Sequence, residues 1–481
     1  MDKLQQPKTL RVFFLTEMWE RYGFYVVQTL LAIYLAMHFQ WPDKKVYSLI
    51  GSFTALTYLS PFVGGWLADR YLGQKRSVLL GALILLVSYT VLSFSHQIPA
   101  LIASLASIAV GTGLLKPNIA TLLGNQYHEE SVIRENGFTI FYLGITTGII
   151  LGTTFPSVFK LYFGWQMAFL SAAFGMLLSL FSFIFGIRHF DIEDYPSERI
   201  EKPSSLLYSG VILFLLGCLN YQIMLHSQLA NLVFPAIALI ASLYMFYCMV
   251  IEEKSQAKKT LMILFLCVIS VIFWSFYFQM FMSLTLFIIR VVESHWMGIA
   301  FPPPYYVAVQ SLGMIVIGFI TTRSHLHHTP SIEVRTSRII NKFIMALGLI
   351  LITYLWIAGL CRYSNATSKM SAWLILPGYL LISKAELLLS PVGTSAMTIL
   401  ACRKKVSTMM GIFFVSLGLG GYCSGKLAGL TAITEPHASL VSLKSQYAQG
   451  FSNLSIILFL GLILSLILKW ASLYILKQRQ K

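Results

Sequence analysis

The chain has 481 residues, of which 57% are hydrophobic and 11% charged, with a mean hydropathy of +0.72 and a formal net charge of +16. Soluble proteins carry about 25% charged residues, and no soluble core could hide this much apolar surface, so the composition excludes a soluble fold and requires a polytopic helical membrane protein. The six cysteines, at 218, 248, 267, 361, 402 and 423, lie in or beside apolar runs, with neither metal-site spacing nor a disulfide framework. The first apolar run reads as the first span, not as a cleavable leader.

Apolar runs bounded by charges or Pro/Gly clusters predict about fourteen spans, at approximately 12–38, 46–69, 76–95, 99–122, 135–158, 165–187, 206–225, 229–251, 260–289, 304–322, 339–361, 370–394, 405–430 and 451–476. In the first, Glu17, Glu20 and Arg21 fall at i, i+3 and i+4, on one helical face, so mutual neutralisation is available. Each such charge costs several kcal/mol in hydrocarbon unless it is paired and faces protein or a wet cavity. The cluster is either a buried structural ion network or a proton relay beside a cavity, and intramembrane charge is functional by default. Tyr25, Gln28 and, in the second span, Tyr58 offer neutral hydrogen bonds; tyrosines there are otherwise interfacial or packing residues.

The second span closes and the third opens on Gly64-Gly65-Trp66-Leu67-Ala68-Asp69-Arg70-Tyr71-Leu72-Gly73-Gln74-Lys75-Arg76. Paired glycines suit close helix approach, the Asp69/Arg70 pair suits a cytoplasmic anchor, and Gly73 suits a tight turn. This run resembles the signature loop of the major facilitator superfamily, whose mirror in the second half is reduced to Gly318 and Arg323. In the fourth span Lys116 precedes Pro117, and an unpaired ammonium there is untenable without a carboxylate from a neighbouring helix. The seventh and eighth spans carry no embedded charge. Glu386, one turn before Ser390 and followed by Pro391, is the acid of the twelfth span; Lys384, two residues away, faces elsewhere and has no assigned role.

Loop charge orients the chain. With both termini inside, 24 of the 35 Lys and Arg fall in cytoplasmic loops, 7 in external loops and 4 within spans. That asymmetry places both termini in the cytoplasm and makes the basic excess a topology and lipid-headgroup signal, not a nucleic-acid footprint. The expected organisation is a six-helix bundle over 1–187, a cytoplasmic linker and inserted transmembrane hairpin over 188–259, and a second six-helix bundle over 260–481. The His325, His327 and His328 group reads as a solvated loop.

Four further runs join the first in family order. Glu17 to Tyr25 resembles the two-glutamate, arginine, double-aromatic signature of the proton-dependent oligopeptide transporter (POT) family. Gly111-Thr112-Gly113-Leu114-Leu115-Lys116-Pro117-Asn118 is similar to that family's fourth-helix motif, and Phe141-Tyr142-Leu143-Gly144-Ile145-Thr146-Thr147-Gly148 to its fifth. Glu386-Leu387-Leu388-Leu389-Ser390-Pro391-Val392-Gly393 and Met409-Met410-Gly411-Ile412-Phe413-Phe414 resemble its last third. The inserted hairpin and Gln28 are most similar to the bacterial di- and tripeptide permeases of that family.

The resemblance implies a major facilitator fold of two six-helix bundles plus the hairpin, in a bacterial inner membrane, importing di- or tripeptides or peptide-like molecules by proton symport and alternating access. It needs no cofactor beyond the proton gradient, and its partners are substrate, protons and membrane lipid, with a single chain functional. It also implies that Glu17 and Glu20 carry or pass the proton, that Arg21 holds them charged, that Lys116 meets those glutamates and the substrate carboxylate, and that Glu386 meets the amino group. Against the family pattern, Thr146 and Thr285 stand where Asn is usual, Phe278 replaces an acid in Tyr277-Phe278-Gln279, and Gly313 stands where Asn-Pro begins in many members. An amide offers two donors and an acceptor, Thr a single donor, so the peptide is gripped less well. Two other readings follow: a same-fold importer or exporter of a non-peptide amine or amide, and a transport-inactive membrane sensor or enzyme. The spans contain no metal-ligand cluster, catalytic pairing or nucleotide loop to support an enzyme.

Overall fold

The structure, a computed structural model, describes residues 6–127, 132–194, 203–322, 332–365, 367–402, 405–435 and 438–477. The three-histidine group, Arg323, Arg199, Lys202, Arg403 and Lys404 lie outside the described residues. In chain order the helices are α1 (Thr9–Met37), α2 (Asp43–Leu67), α3 (Gln74–Ser93), α4 (Ile98–Asn125), α5 (Val132–His189), α6 (Pro203–Leu225), α7 (Ser227–Ile251), α8 (Lys254–Tyr277), α9 (Ser283–Val291), α10 (Pro303–Thr322), α11 (Ile332–Tyr363), α12 (Leu376–Leu400), α13 (Val406–Ala428) and α14 (Leu440–Lys477).

Among the described residues, twelve helices are long and apolar enough to cross a membrane; α1, of 29 residues, carries Glu17, Glu20 and Arg21 within it. The span 133–189 is 57 residues long, about twice what a bilayer needs. Gly164, at φ 82°, breaks it into two crossings, a conformation in which a side chain would be strained. The chain is thus an all-α integral membrane protein whose crossings follow the expected order. One local difference stands out in the ninth expected span, 260–289. There α8 ends in a 3₁₀ turn, Phe278–Phe281, and Met282 (φ −127°, ψ −95°) separates it from α9. Thr285 donates to the carbonyl of Met280 (2.7 Å), satisfying an acceptor that the break releases.

By packing, the helices form two compact units, residues 1–34 with 56–229 and residues 35–55 with 230–481. This grouping differs from the chain-order division into 1–187, 188–259 and 260–481, because the hairpin is no separate body. Its first helix, α6, packs on α4 in the first unit, and nearly all of α7 belongs to the second. Within the first unit, α3 lies against α4 and α5. Gly73 (φ 76°) makes the turn into α3, whose first N–H groups, from Gln74 and Lys75, donate to the Asp194 carboxylate at 3.3 and 3.1 Å. A carboxylate at a helix N-terminus satisfies orphan donors and complements the dipole.

Within the second unit, α8 packs on α13, and α11 on α12 and α14. Gly51 faces Gly425 closely enough that a Cβ on either would crowd the other's backbone. Beside that contact Arg290 makes a bidentate pair with Asp43 (2.6 and 2.7 Å), and Asp43 also accepts the Ile433 N–H at 2.9 Å. Asp43 is buried, so Asp43→Asn leaves a guanidinium without its counter-charge, at a cost of about 3–5 kcal/mol. Thermal unfolding in detergent should show a clear fall for that variant, with partial recovery in Asp43→Asn/Arg290→Gln. An unchanged transition would show the pair to be energetically silent.

Candidate functional site

The first unit positions its charges through glycine. On α5, Gly144, Gly148 and Gly152 recur one turn apart against α1. A Cβ at Gly148 would come within 2.2 Å of the Met18 carbonyl oxygen, and one at Gly152 within 2.5 Å of that of Tyr22. Nothing larger fits, so the two backbones touch, as small-residue stripes allow in membranes. The fourth-helix motif works similarly. Gly111 packs against Gly81 on α3, and Gly113 against Ser60 and Gly64 on α2. Of the paired glycines, Gly64 is sterically required, because a Cβ there would meet the Gly113 carbonyl oxygen, whereas a Cβ at Gly65 would make only ordinary contact with Pro117.

These contacts bury Glu17 (2% exposed), Glu20 (0%) and Arg21 (4%). Arg21 forks onto Glu20, Nε to Oε2 at 2.5 Å and Nη2 to Oε1 at 2.6 Å. Its Nε stands 3.4 Å from Glu17 Oε1, while Glu17 Oε2 is buried without a hydrogen-bond partner among the described residues. The two glutamates are therefore not equivalent: Glu20 is saturated by the fork, and Glu17 keeps an open oxygen. Arg21 also lies 5.0 Å from the Phe24 ring centroid. Lys116, partly buried on α4, places its ammonium 5.0 Å over the Tyr58 ring, within electrostatic reach of Glu17, Glu20 and Arg21. Two acids and two bases thus share one low-dielectric region of a single unit. Tyr25 and Gln28 follow on α1, Gln28 buried and Tyr25 partly so. Thr146 is buried and donates its hydroxyl to the Tyr142 carbonyl at 3.1 Å. Arg70 lies 6.0 Å over Trp66, in the π-helical turn Ala68–Leu72 that also holds Asp69.

In the second unit Glu386, on α12, accepts two hydrogen bonds at one oxygen, from Tyr277 Oη and Gln310 Nε2, both 2.7 Å. Gln310 is in turn held by Ser383, which donates to its carbonyl at 2.7 Å. Gly313 explains its own departure from the family: a Cβ there would fall 2.6 Å from Ser383 Oγ, so α10 and α12 meet too closely for Asn. Phe278 is buried, stacked on Trp274 (5.4 Å between centroids, 30°) and edge-on to Tyr277. Ser390 lies one turn beyond Glu386, and α12 continues through Pro391, with Gly393 seated against the Phe413 ring. Lys384 is exposed.

Three contributors were assigned no site role from the sequence, although Tyr277 and Gln279 flank the departure at Phe278. Tyr277 and Gln310 hold Glu386, and Gln279 is a fully buried hub, donating to Ser275 and Ser424 and accepting from Ser283. An amide in a span that otherwise reads as aromatic and aliphatic is the signal that marks Gln279.

The family model described as POT family matches residues 75–441. A dipeptide and tripeptide permease A of Serratia proteamaculans is 29% identical over 462 residues, covering 93% of this chain and 89% of the relative. Among solved structures, one giving insights into substrate recognition in proton dependent oligopeptide transporters superposes with a TM-score of 0.83 at 25% identity, covering 98% and 99% of the two chains. A tetrameric PepTSo2 crystal structure does so with 0.81 at 26%, covering 95% and 97%.

Proposed function

The chain belongs to the POT family, and from that premise we propose that it is a proton-coupled symporter importing di- or tripeptides, or peptide-like zwitterions, across a bacterial inner membrane by alternating access, with both termini cytoplasmic. The observation that carries the reading is the open oxygen of Glu17 beside the saturated Glu20–Arg21 fork.

Charge counting supplies the coupling. With Glu17, Glu20, Arg21 and Lys116 ionised, the first-unit cluster is neutral. A proton on Glu17 alone leaves a surplus positive charge there, and a carboxylate beside Lys116 alone leaves a surplus negative one. Either surplus costs several kcal/mol where water is excluded. Proton and carboxylate together restore neutrality, so each favours the other's binding, and only such differential binding can drive a conformational equilibrium. Arg21 engages both oxygens of Glu20, which leaves the open oxygen of Glu17 as the proton site. Glu386 supplies the counter-charge for an ammonium, oriented by Tyr277 and Gln310. The proton gradient is the sole energy source and no cofactor takes part. Both charge clusters belong to one chain, which supports a single chain as the transporting unit. The permease relatives support peptide as the cargo, and uptake of a labelled dipeptide panel into liposomes under an inward proton gradient tests it. Accumulation above equilibrium is expected, and its absence for every peptide overturns the reading.

The Thr146 and Thr285 hydroxyls already donate to backbone carbonyls, which favours selective peptide binding and keeps a non-peptide amine as the second reading. Thr146→Asn with Thr285→Asn should strengthen dipeptide binding, each recovered hydrogen bond adding about 0.5–1.5 kcal/mol, roughly two- to twelvefold. The larger gain is expected at Thr146, because Thr285 also closes the broken turn before α9. Thermal-shift titration of both proteins against a dipeptide library checks this. Tight, broad binding by the native protein would make the departures silent, and no response from either would favour the non-peptide reading.

A further inference from the structure

The helix α7 touches the second unit at its two ends and stands off it in the middle. Near its start Phe234 is fully buried, its ring tilted against Tyr422 of α13 with centroids 4.6 Å apart, and Tyr422 donates to Asn231 at 2.7 Å. Near its end Met245 and Cys248 are buried, and Glu252 accepts from Lys405 (2.9 Å) and Thr260 (2.6 Å). Between these anchors the inward positions are Ala238, Ala241 and Ser242, too small to reach across. The result is a cavity of about 360 Å³ between α7 and helices α8, α13 and α14, walled opposite by aliphatic residues such as Val268, Val271 and Leu419. Its lining is almost wholly apolar, so water has almost no polar partner here. Hydrocarbon is the medium that wets such walls.

The cavity is amphiphilic along its length. Asn231 lies one turn from the start of α7, and Lys426 within one turn of the end of α13, so both lie toward one end of the slot, beside Tyr422. Lys426 is exposed and places its ammonium 5.6 Å over the Tyr422 ring, at the rim. A cation and an amide above an apolar slot complement an anionic headgroup above an acyl chain.

We propose that this slot is a binding site for one anionic phospholipid, its acyl chain filling the gap beside Ala238, Ala241 and Ser242 and its phosphate meeting Lys426. By the loop-charge topology the lipid comes from the outer leaflet. Its role is to complete the packing of α7, an insertion with few side chains of its own to fill the space.

The test uses the full chain, purified and delipidated in detergent, with phosphatidylglycerol or phosphatidylcholine added back and read by native mass spectrometry and thermal shift. The native protein should retain phosphatidylglycerol and be stabilised by it more than by phosphatidylcholine. Ala241→Phe, whose ring fills the slot, should lose the adduct and the stabilisation while melting no lower than the lipid-free native protein. Lys426→Gln, an exposed change, should fold normally, keep acyl binding and lose the headgroup preference. Ala238→Leu stands in for Ala241→Phe should that variant fail to fold. Equal stabilisation of the native protein and the filled variants by phosphatidylglycerol, the same headgroup preference in Lys426→Gln, or chain dimers that disappear with Ala241→Phe would each overturn the proposal.

Discussion

Glu17→Gln should abolish gradient-driven accumulation of a dipeptide while sparing counterflow exchange. The substitution fixes the first-unit cluster in its proton-loaded charge, so a substrate carboxylate still finds a neutral complex but no proton travels with it. Driven uptake should fall by two orders of magnitude or more, since about 3 kcal/mol of coupling corresponds to more than a hundredfold. Peptide affinity of the native protein should rise as pH falls and Glu17 gains its proton; in Glu17→Gln it should be flat with pH. Glu20→Gln should behave differently, because it dismantles the fork on Arg21 and lowers thermal stability in addition to transport. Unchanged driven uptake in Glu17→Gln would assign the proton elsewhere.

Lys116→Ala should eliminate driven transport without unfolding the protein. Removing the ammonium leaves the cluster with one negative charge too many, which Glu17 relieves by holding a proton permanently at its open oxygen. The variant should therefore be monodisperse and inactive, with uptake reduced by about a hundredfold or more. Adding Glu17→Gln restores charge balance with Glu20 and Arg21 alone. The double variant should melt no lower than Lys116→Ala and remain inactive, because nothing is left to receive a carboxylate. Uptake at native rate in Lys116→Ala would reduce the residue to a packing role and break the proposed link between proton and substrate.

The amino-acid sequence made much of this arrangement legible, because the bilayer enforces it. Long apolar runs have to be helices, so the crossings and their order follow from hydropathy and charge. Glu17, Glu20, Arg21 and Lys116 stood out because their cost in hydrocarbon demands partners. Spacing could not separate the two glutamates, since i−1 and i−4 neighbours of Arg21 are both within reach of a long guanidinium; rotamers decided that Glu20 takes the fork. Nor could spacing reveal partners distant in the chain. Asp43 with Arg290, Asp194 with the start of α3, and Gln310 with Glu386 are separated by 247, 120 and 76 residues. The glycines were visible as candidates, yet only the packed backbones show that Gly64 and Gly148 are indispensable and Gly65 is not. The break in α8 lacks Pro or Gly, so no local signal announced it.

Coupling is the central claim, and peptide-evoked proton movement tests it most directly. In liposomes with no imposed pH gradient, clamped by potassium and valinomycin and loaded with a pH-sensitive dye, external dialanine should acidify the lumen for the native protein. Glu17→Gln should admit labelled dialanine in exchange without acidification. Peptide entry into native proteoliposomes with no change in luminal pH would contradict the account.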